Sequence, residues 1–482
     1  MKTFKNSMIG VAAFLIGACS VGPDFQRPAP PISERITAGA QPSSTVEAPG
    51  AGGTAQHFRE DAEVPTQWWT LFQCPTLDRL VQNALDNSPT IAQARAKLRQ
   101  AQEDLNAQTG ATRYPSLDAQ LGVTHEKVDP AVFGIPNVPN VPPFTLYNAQ
   151  VNVSYTLDFF GANRRALEAL QAQAEYQNYE ATAARLTLAA NVVSAAIRQA
   201  ALQAQIEITE RLLQAQAQQL SIAEARYQVG GVALQDLHSQ RSLLAQTRAS
   251  LAPLLMQRQQ VDHQLAVYIG ESPGEASVPQ FALDDIKLPT DLPLTLPSVL
   301  VQRRPDVRAS EALWHQASAQ VAVATANLFP QLTITGDAGT ERTHASDIAD
   351  GLNVWSIGAR LMQPIFHGGE LRAQKRSAQE AYAAAAAAYE QTVLESLQQV
   401  ADSLRALEAD AQTLQAQAEA AQQAESYYRI AQARYQSGGI SEFSLLDAER
   451  QQLQSSLERT RAQANRDSDS VALLQSLGGG WK

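Results

Sequence analysis

Two stretches of this 482-residue chain, Ala162–Val229 and Glu370–Ser437, run for 68 positions each without glycine or proline. Sequence of that kind is compatible with unbroken helix. At about 1.5 Å per residue such a helix reaches roughly 100 Å, far beyond the width of an ordinary domain. Each run ends in a glycine pair, Gly230-Gly231 and Gly438-Gly439, within nearly the same phrase. ARYQVGG starts at Ala225, and ARYQSGG starts at Ala433, 208 positions later. A second run of 38 residues follows each pair, Val232–Ile269 and Ile440–Leu477, and each stops at glycine, Gly270 and Gly478. Glycine leaves a helix through a left-handed position that other residues avoid. The spacing therefore predicts two long helical hairpins, each turning at its glycine pair. The matched lengths mark an internal duplication. In the second long run 20 of the 68 residues are alanine, including Ala383–Ala388. Alanine favours helix, and small side chains at a contact let neighbouring helices approach closely.

The duplication extends upstream. NSPTIAQARAKLRQAQ, from Asn87, parallels RRPDVRASEALWHQAS, from Arg303, with Pro89 and Pro305 in register. Each segment runs to an aromatic residue before proline, Tyr114-Pro115 and Phe329-Pro330, where a helix must end. The period then changes. From Tyr147 to Phe159, seven apolar residues alternate with six polar ones without a fault. That is the period-2 signal of a strand. SLDAQLGVT after Pro115, QLTITGDAG after Pro330 and NVWSIGARL from Asn353 read the same way. Each half thus contributes two strands just before its long helical run.

Alternating strands flanked by aromatics suit a barrel with a lipid-facing exterior and a wet lumen. Four strands cannot close a transmembrane barrel, for which about eight is the minimum, and an open edge is not tolerated in lipid. The chain must assemble. Two copies would give an eight-stranded barrel filled by side chains; three would give twelve strands and an aqueous lumen. A pore favours the homotrimer.

The N-terminus supports a membrane destination. Lys2 and Lys5 precede an apolar run of 11 residues, Met8–Ala18, too short to span a bilayer and suited to a signal peptide. It ends in I-G-A-C at Cys19, which resembles the lipobox of bacterial lipoproteins and implies a covalent lipid on that cysteine. Ser20 in the next position implies sorting to the outer membrane. Residues 19–65, rich in Pro, Ala, Gly and Ser, read as an extended tether. Cys74 is left without an intrachain partner and reads as a small packed hydrophobe.

Several functions are excluded. The net charge is −11, becoming −11 − 2 = −13 once Lys2 and Lys5 are removed, and no basic run exceeds two residues. Nucleic acid is therefore not a partner. The seven histidines show no metal-ligand spacing. There is neither a nucleophile elbow nor a phosphate-binding glycine loop. The paired acids Asp284-Asp285 sit in a Pro-rich connector and read as solvated. No enzyme and no cofactor are expected, apart from the lipid on Cys19.

The chain resembles the TolC-like outer membrane efflux proteins, in their NodT-type lipoprotein branch, from Cys19 to Lys482. The stretches that carry the resemblance are CSVGPDFQRPAPP, WWTLFQCPTLDRLVQNALDNSP, LDFFGANRR, RRPDVRASE, FPQLTITGDAG, QPIFHGGELRA, ARYQSGGISEFSLLDAER and SLGGGW. It implies an α+β membrane protein: a trimeric 12-stranded β-barrel, four strands per chain, continuous with a long periplasmic α-helical barrel. The domains would be a signal peptide (1–18), the acylated tether (19–65), a first repeat (66–270), a connector (271–296) and a second repeat (297–482). It implies docking to a periplasmic adaptor and an inner-membrane transporter, with passive export of drugs or other small molecules. It also implies a gate at the hairpin tips. Asp447 in SLLDAER and Asp236 in LQDLHSQ match acidic constriction residues, and Arg434 and Tyr435 match residues linking neighbouring helices. One departure is Ser444, where some members carry a second aspartate. On the residues alone, Asp236 and Asp447 are equally solvated helix-face acids, and Arg226 and Tyr227 read as packing residues. The rival function is a lipid-anchored periplasmic adaptor or structural coiled coil, but adaptors carry one hairpin and lack two strand pairs. Segments 125–146 and 341–352 are expected to be extracellular loops. Nothing in the sequence names the cargo or the class of transporter.

Overall fold

The structure is a computed structural model that describes residues 21–29, 37, 42–59, 62–128, 142–294 and 297–480. The signal peptide and Cys19 lie outside the described residues. In chain order the strands are β1 (His57–Arg59), β2 (Ser116–Glu126), β3 (Phe144–Leu157), β4 (Asp291–Pro293), β5 (Gln331–Arg342) and β6 (Val354–Met362). The helices are α1 (Pro75–Asn87), α2 (Pro89–Arg113), α3 (Ala162–Gln228), α4 (Leu234–Tyr268), α5 (Pro297–Arg303), α6 (Pro305–Ala326), α7 (Glu370–Gln436) and α8 (Glu442–Ser476). Helices α3 and α7 are each 67 residues long, and α4 and α8 are each 35. The second helix of each hairpin starts two residues later than the glycine-free run suggests, because Ala233 and Ser441 are extended N-cap residues. Pro253 lies inside α4 and the helix continues through it. Proline lacks the N–H for one intrahelical bond, so a local bend is its normal consequence.

The chain folds into two compact units, and neither is one of the sequence halves. The first takes the chain up to Arg27, Leu98–Gln177 and Ser310–Tyr389; the second takes Pro28–Lys97, Asn178–Ala309 and Glu390–Lys482. Both halves contribute to each because strands pair, and helices pack, with partners far away in sequence.

In the first unit the four expected strands form one antiparallel sheet of order β2-β3-β5-β6. Its register sorts side chains by chemistry. One face carries the rows Leu117–Val153–Gly336–Ile357 and Ala119–Val151–Ala338–Trp355, and the other carries Asp118–Asn152–Asp337–Ser356 and Thr156–Thr333–Arg360. The apolar face is bare: Leu117, Leu121, Val123, Ile334, Trp355, Ile357 and Leu361 are all exposed. The polar face is hydrogen-bonded across strands, with Gln150 donating to Glu341 at 2.8 Å and Ser356 donating to Asp337. Beyond β5, residues 345–349 form a short 3-10 turn within the expected loop. Most of the other loop, 129–141, lies outside the described residues. No described helix is long and apolar enough to cross a membrane.

The second unit holds the large core. Trp68, Phe72, Leu77 and Val81 pack with Val192, Ile197, Leu265, Leu404, Leu407 and Leu474. Near the start of the first repeat Trp68 is buried, edge-on to Trp69 at 6.1 Å, and anchors this core. Cys74 is buried beside it without a disulfide.

The tether expectation needs correction. Residues 42–59 are docked against the second unit: β1 pairs in parallel with β4, and Thr45, Ala48 and Gln56 are buried. The fastener is Arg466 of α8, itself fully buried. Its guanidinium donates to Gln56 Oε1 (3.2 Å), Gly52 O (3.1 Å), Thr45 Oγ1 (2.9 Å) and Thr54 O (2.9 Å). A Pro/Gly/Ser-rich strap cannot build a core alone, but its free carbonyls satisfy a buried cation. In the first unit, Val21 N–H donates to Phe160 O at 3.2 Å and Phe25 stacks on His315 at 4.6 Å. Arg27 pairs with Glu311 at 2.6 Å, and Asp24 pairs with Arg165.

Candidate functional site

The repeated phrase is a helix-ending device, and its letters have assigned places. In the first hairpin Gly231 N–H donates to Arg226 O at 2.7 Å and Gly230 N–H to Tyr227 O at 3.0 Å. In the second, Gly439 N–H donates to Arg434 O at 2.7 Å and Gly438 N–H to Tyr435 O at 2.9 Å. This is the Schellman arrangement, which satisfies the last carbonyls of the long helix. The two glycines of each pair do different things. Gly230 and Gly438 are left-handed, with φ of 74° and 77°. Gly231 and Gly439 are not; a Cβ there would lie 3.3 Å from the arginine carbonyl each one bonds. The first glycine makes the turn and the second permits the close approach.

The helices that leave the two tips start differently. At α8, Ser441 Oγ accepts the N–H of Ser444 at 3.2 Å, and the two hydroxyls meet at 3.0 Å. Serine is a strong N-cap. At α4 the cap residue is Ala233, whose methyl offers no hydrogen-bond acceptor, and Asp236 stands in the first turn. A carboxylate there is favoured by the helix dipole. Asp236 lies 208 positions before Ser444, so the two occupy equivalent places in the hairpins, and the departure at Ser444 is a cap site.

Among the described residues, none of the four implied gate side chains hydrogen-bonds another of the four. The side chains of Asp236, Arg434 and Tyr435 are exposed and hydrogen-bond no described residue. Asp447 is held by its own helix. Its Oδ1 accepts from Arg450 Nη2 at 2.8 Å and Nε at 3.2 Å, and its Oδ2 accepts from Gln451 Nε2 at 2.9 Å. The first hairpin has a different fastening: Arg241 of α4 pairs with Glu224 of α3 at 2.8 Å. Sequence reasoning missed Arg450 and Glu224–Arg241. The i,i+3 spacing of Asp447 and Arg450 was a usable signal; the cross-hairpin pair had none, because its partners face each other only once the turn is built. Among the described residues, no group of three or more His, Cys, Asp and Glu side chains is placed to hold a metal ion.

Known proteins share this arrangement over nearly the whole chain. The family described as Outer membrane efflux protein matches residues 80–271 and 296–479. The pyoverdine export outer membrane protein OpmQ of Pseudomonas aeruginosa is 30% identical over 486 residues, covering 100% of this chain and 98% of that protein. Outer membrane protein OprJ of the same species is also 30% identical over 486 residues, covering 99% and 97%. Among solved structures, the outer-membrane channel OprN matches with a TM-score of 0.81 at 28% identity, covering 96% of this chain and 100% of that one. With two capped hairpins, a sheet divided into apolar and polar faces, and matches that span both sequence halves, the chain belongs to the outer membrane efflux protein family.

Proposed function

We propose that the protein is the outer membrane channel-tunnel of a tripartite efflux pump. Three copies would close a 12-stranded barrel, four strands from each. The observation that carries this reading is the sheet register. It gathers bulky apolar side chains on one bare face and amides, hydroxyls and charges on the other, while the outer edges of β2 and β6 pair with no described strand. In lipid those edges need partners, and another copy supplies them. The matched pairs of 67- and 35-residue helices support an internal duplication. The hairpins then line a periplasmic helical tunnel that meets an adaptor and an inner-membrane transporter, and drugs or other small molecules pass through passively.

Cys19 carries the lipid in this reading. Val21, two residues on in the sequence, donates its N–H to Phe160 O at 3.2 Å, just past the end of β3. The gate belongs to the tips. The side chains of Arg434, Tyr435 and Asp236 bond no described residue of their own chain, which leaves them available to neighbouring helices. Rings of Asp236 and Asp447 around a narrow axis would favour cations over anions. An adaptor would open the gate by replacing the contacts of the closed state.

Planar-bilayer conductance of wild type against Asp236→Ala/Asp447→Ala tests this. A small wild-type conductance that rises sharply in the double variant is expected. A large conductance unchanged by the substitutions would refute the tip gate. Absence of any conductance, together with a monomeric mass in detergent, would refute the channel.

A further inference from the structure

Two large apolar side chains stand almost bare at the foot of the edge strand β6. Ile365 is 94% exposed and Phe366 is 86% exposed. They are not on a loose loop. Gln363 Nε2 donates to Leu328 O at 3.1 Å and to Pro364 O at 2.8 Å, which fixes the turn. Gly368 and Gly369, with φ of 58° and 90°, reverse the chain into α7. The pair thus projects from a built corner, beside a shallow cavity of about 480 Å³ lined by Leu328, Phe366, His367 and Leu371. A consecutive, pre-ordered apolar pair of this exposure marks an interaction surface rather than scattered surface hydrophobicity. At the other open edge of the same sheet, Tyr114 stands 62% exposed just before β2.

We infer that Ile365 and Phe366 of one copy seat against Tyr114 of the next, as an apolar clasp at the foot of the barrel seam. The inference rests on the trimeric barrel proposed above. β2 and β6 are the two ends of the sheet, and each leaves one edge without a described partner. β3 and β5 run antiparallel to their neighbours throughout, so β2 and β6 run in opposite directions. When β6 of one copy meets β2 of the next they therefore pair antiparallel, and the end of β6 at Met362 comes to the same end of the seam as the start of β2 at Ser116. Phe366 lies four residues beyond the first and Tyr114 two residues before the second. The stagger required by barrel closure shifts this by a few residues along the strands but not to the opposite rim. Aromatic and aliphatic side chains facing one another across a seam exclude water from the last ladder hydrogen bonds, where the sheet would otherwise fray. The same corner facing lipid instead of protein is the competing occupant.

The test uses the full-length acylated protein purified in detergent and carrying Tyr114→Cys with Phe366→Cys, treated with a short bis-maleimide. Cys74 is buried and does not contribute. Covalent dimers and trimers are expected in the double variant and in neither single variant. A trimeric mass without cross-links would overturn the clasp and leave the barrel standing. A monomeric mass would overturn the barrel reading and the clasp with it. In bilayers, strong quenching of Phe366→Trp fluorescence by brominated lipid would show the corner facing acyl chains, and that also overturns the clasp. Protection from the quencher, together with loss of SDS-resistant trimer in Phe366→Ala, is the result expected.

Discussion

Arg450 grips the carboxylate of Asp447 from one helical turn away, Nη2 to Oδ1 at 2.8 Å, so the acid matched to the constriction is charge-paired within its own helix. In the proposed trimer a ring of Asp447 side chains would also be a ring of Arg450 guanidinium groups. Releasing Arg450 requires little energy, since partly exposed pairs contribute about 0–1 kcal/mol.

Arg450→Gln separates gating from stability. The denaturation midpoint should barely move, reflecting less than about 1 kcal/mol. Single-channel current and its cation preference should both rise, because an unpaired Asp447 ring is more negative. Unchanged ion selectivity in a conducting channel would show that Arg450 is only a surface partner.

Gly438→Ala should weaken the second tip selectively. A left-handed alanine costs about 1–2 kcal/mol relative to the right-handed region. The cost is purely conformational, because the space that the added methyl would occupy is open, with no atom within 4 Å. Hydrogen exchange should accelerate at the C-terminal turn of α7 and the start of α8, with the core of Leu404 and Leu407 unaffected. Gly439→Ala acts through a different route, by pushing on the Arg434 carbonyl, and should lengthen the Gly439–Arg434 hydrogen bond.

Arg466→Met should release the strap. Removing the buried guanidinium leaves Gln56 Oε1, Gly52 O and Thr54 O without this donor, while Thr45 Oγ1 keeps the Gln56 N–H, and an unsatisfied buried acceptor costs about 1–3 kcal/mol. Limited proteolysis should open new cleavage sites within residues 42–56 before any cut appears in α8. Resistance of the strap in a folded variant would mean that the β1–β4 pairing alone holds it.

The same region sets a pH dependence. Burial, with Asp469 beside it, pushes Asp410 up to about 7, and burial, with Asp284 adding to it, pushes Asp467 up to about 7 against the pull of Arg466. Both acids hold their protons in the folded chain at pH values where the unfolded chain, near 3.8, has lost them. The folded state binds more protons, so stability is greatest below about pH 4 for these groups and falls as pH rises towards 7. Thermal midpoints at pH 5 and pH 8 should differ less in Asp410→Asn/Asp467→Asn than in wild type. An unchanged difference would place the dependence elsewhere.

Cys19→Ser tests the anchor against the fold. A barrel stays in the membrane without its lipid, so carbonate extraction should leave the variant in the pellet. Release into the supernatant would favour an anchored adaptor, whose attachment depends on the acyl chain.

Much of this protein is written locally. The glycine-free runs, the aromatic–proline stops and the faultless alternation from Tyr147 to Phe159 each depend on a few neighbouring residues, and the helices and strands formed where those signals lie. The turn phrase was legible for the same reason: a left-handed glycine and the residue after it act within six positions. What misled was the composition of residues 42–59. It foretold a free tether, but docking depended on Arg466, more than 400 positions away in the sequence.

By itself, then, the sequence determined the lengths and periods of the elements, the two hairpin turns, the membrane-suited strands and the family. Those properties arise from backbone sterics and side-chain alternation, which are local. Only the tertiary structure decided that the compact units each draw on both halves, that the strap is fastened by a buried guanidinium, and that Asp447 is held by Arg450 while no described side chain holds Asp236. Those outcomes depend on which polar groups are removed from water together, and that is settled only when distant segments meet.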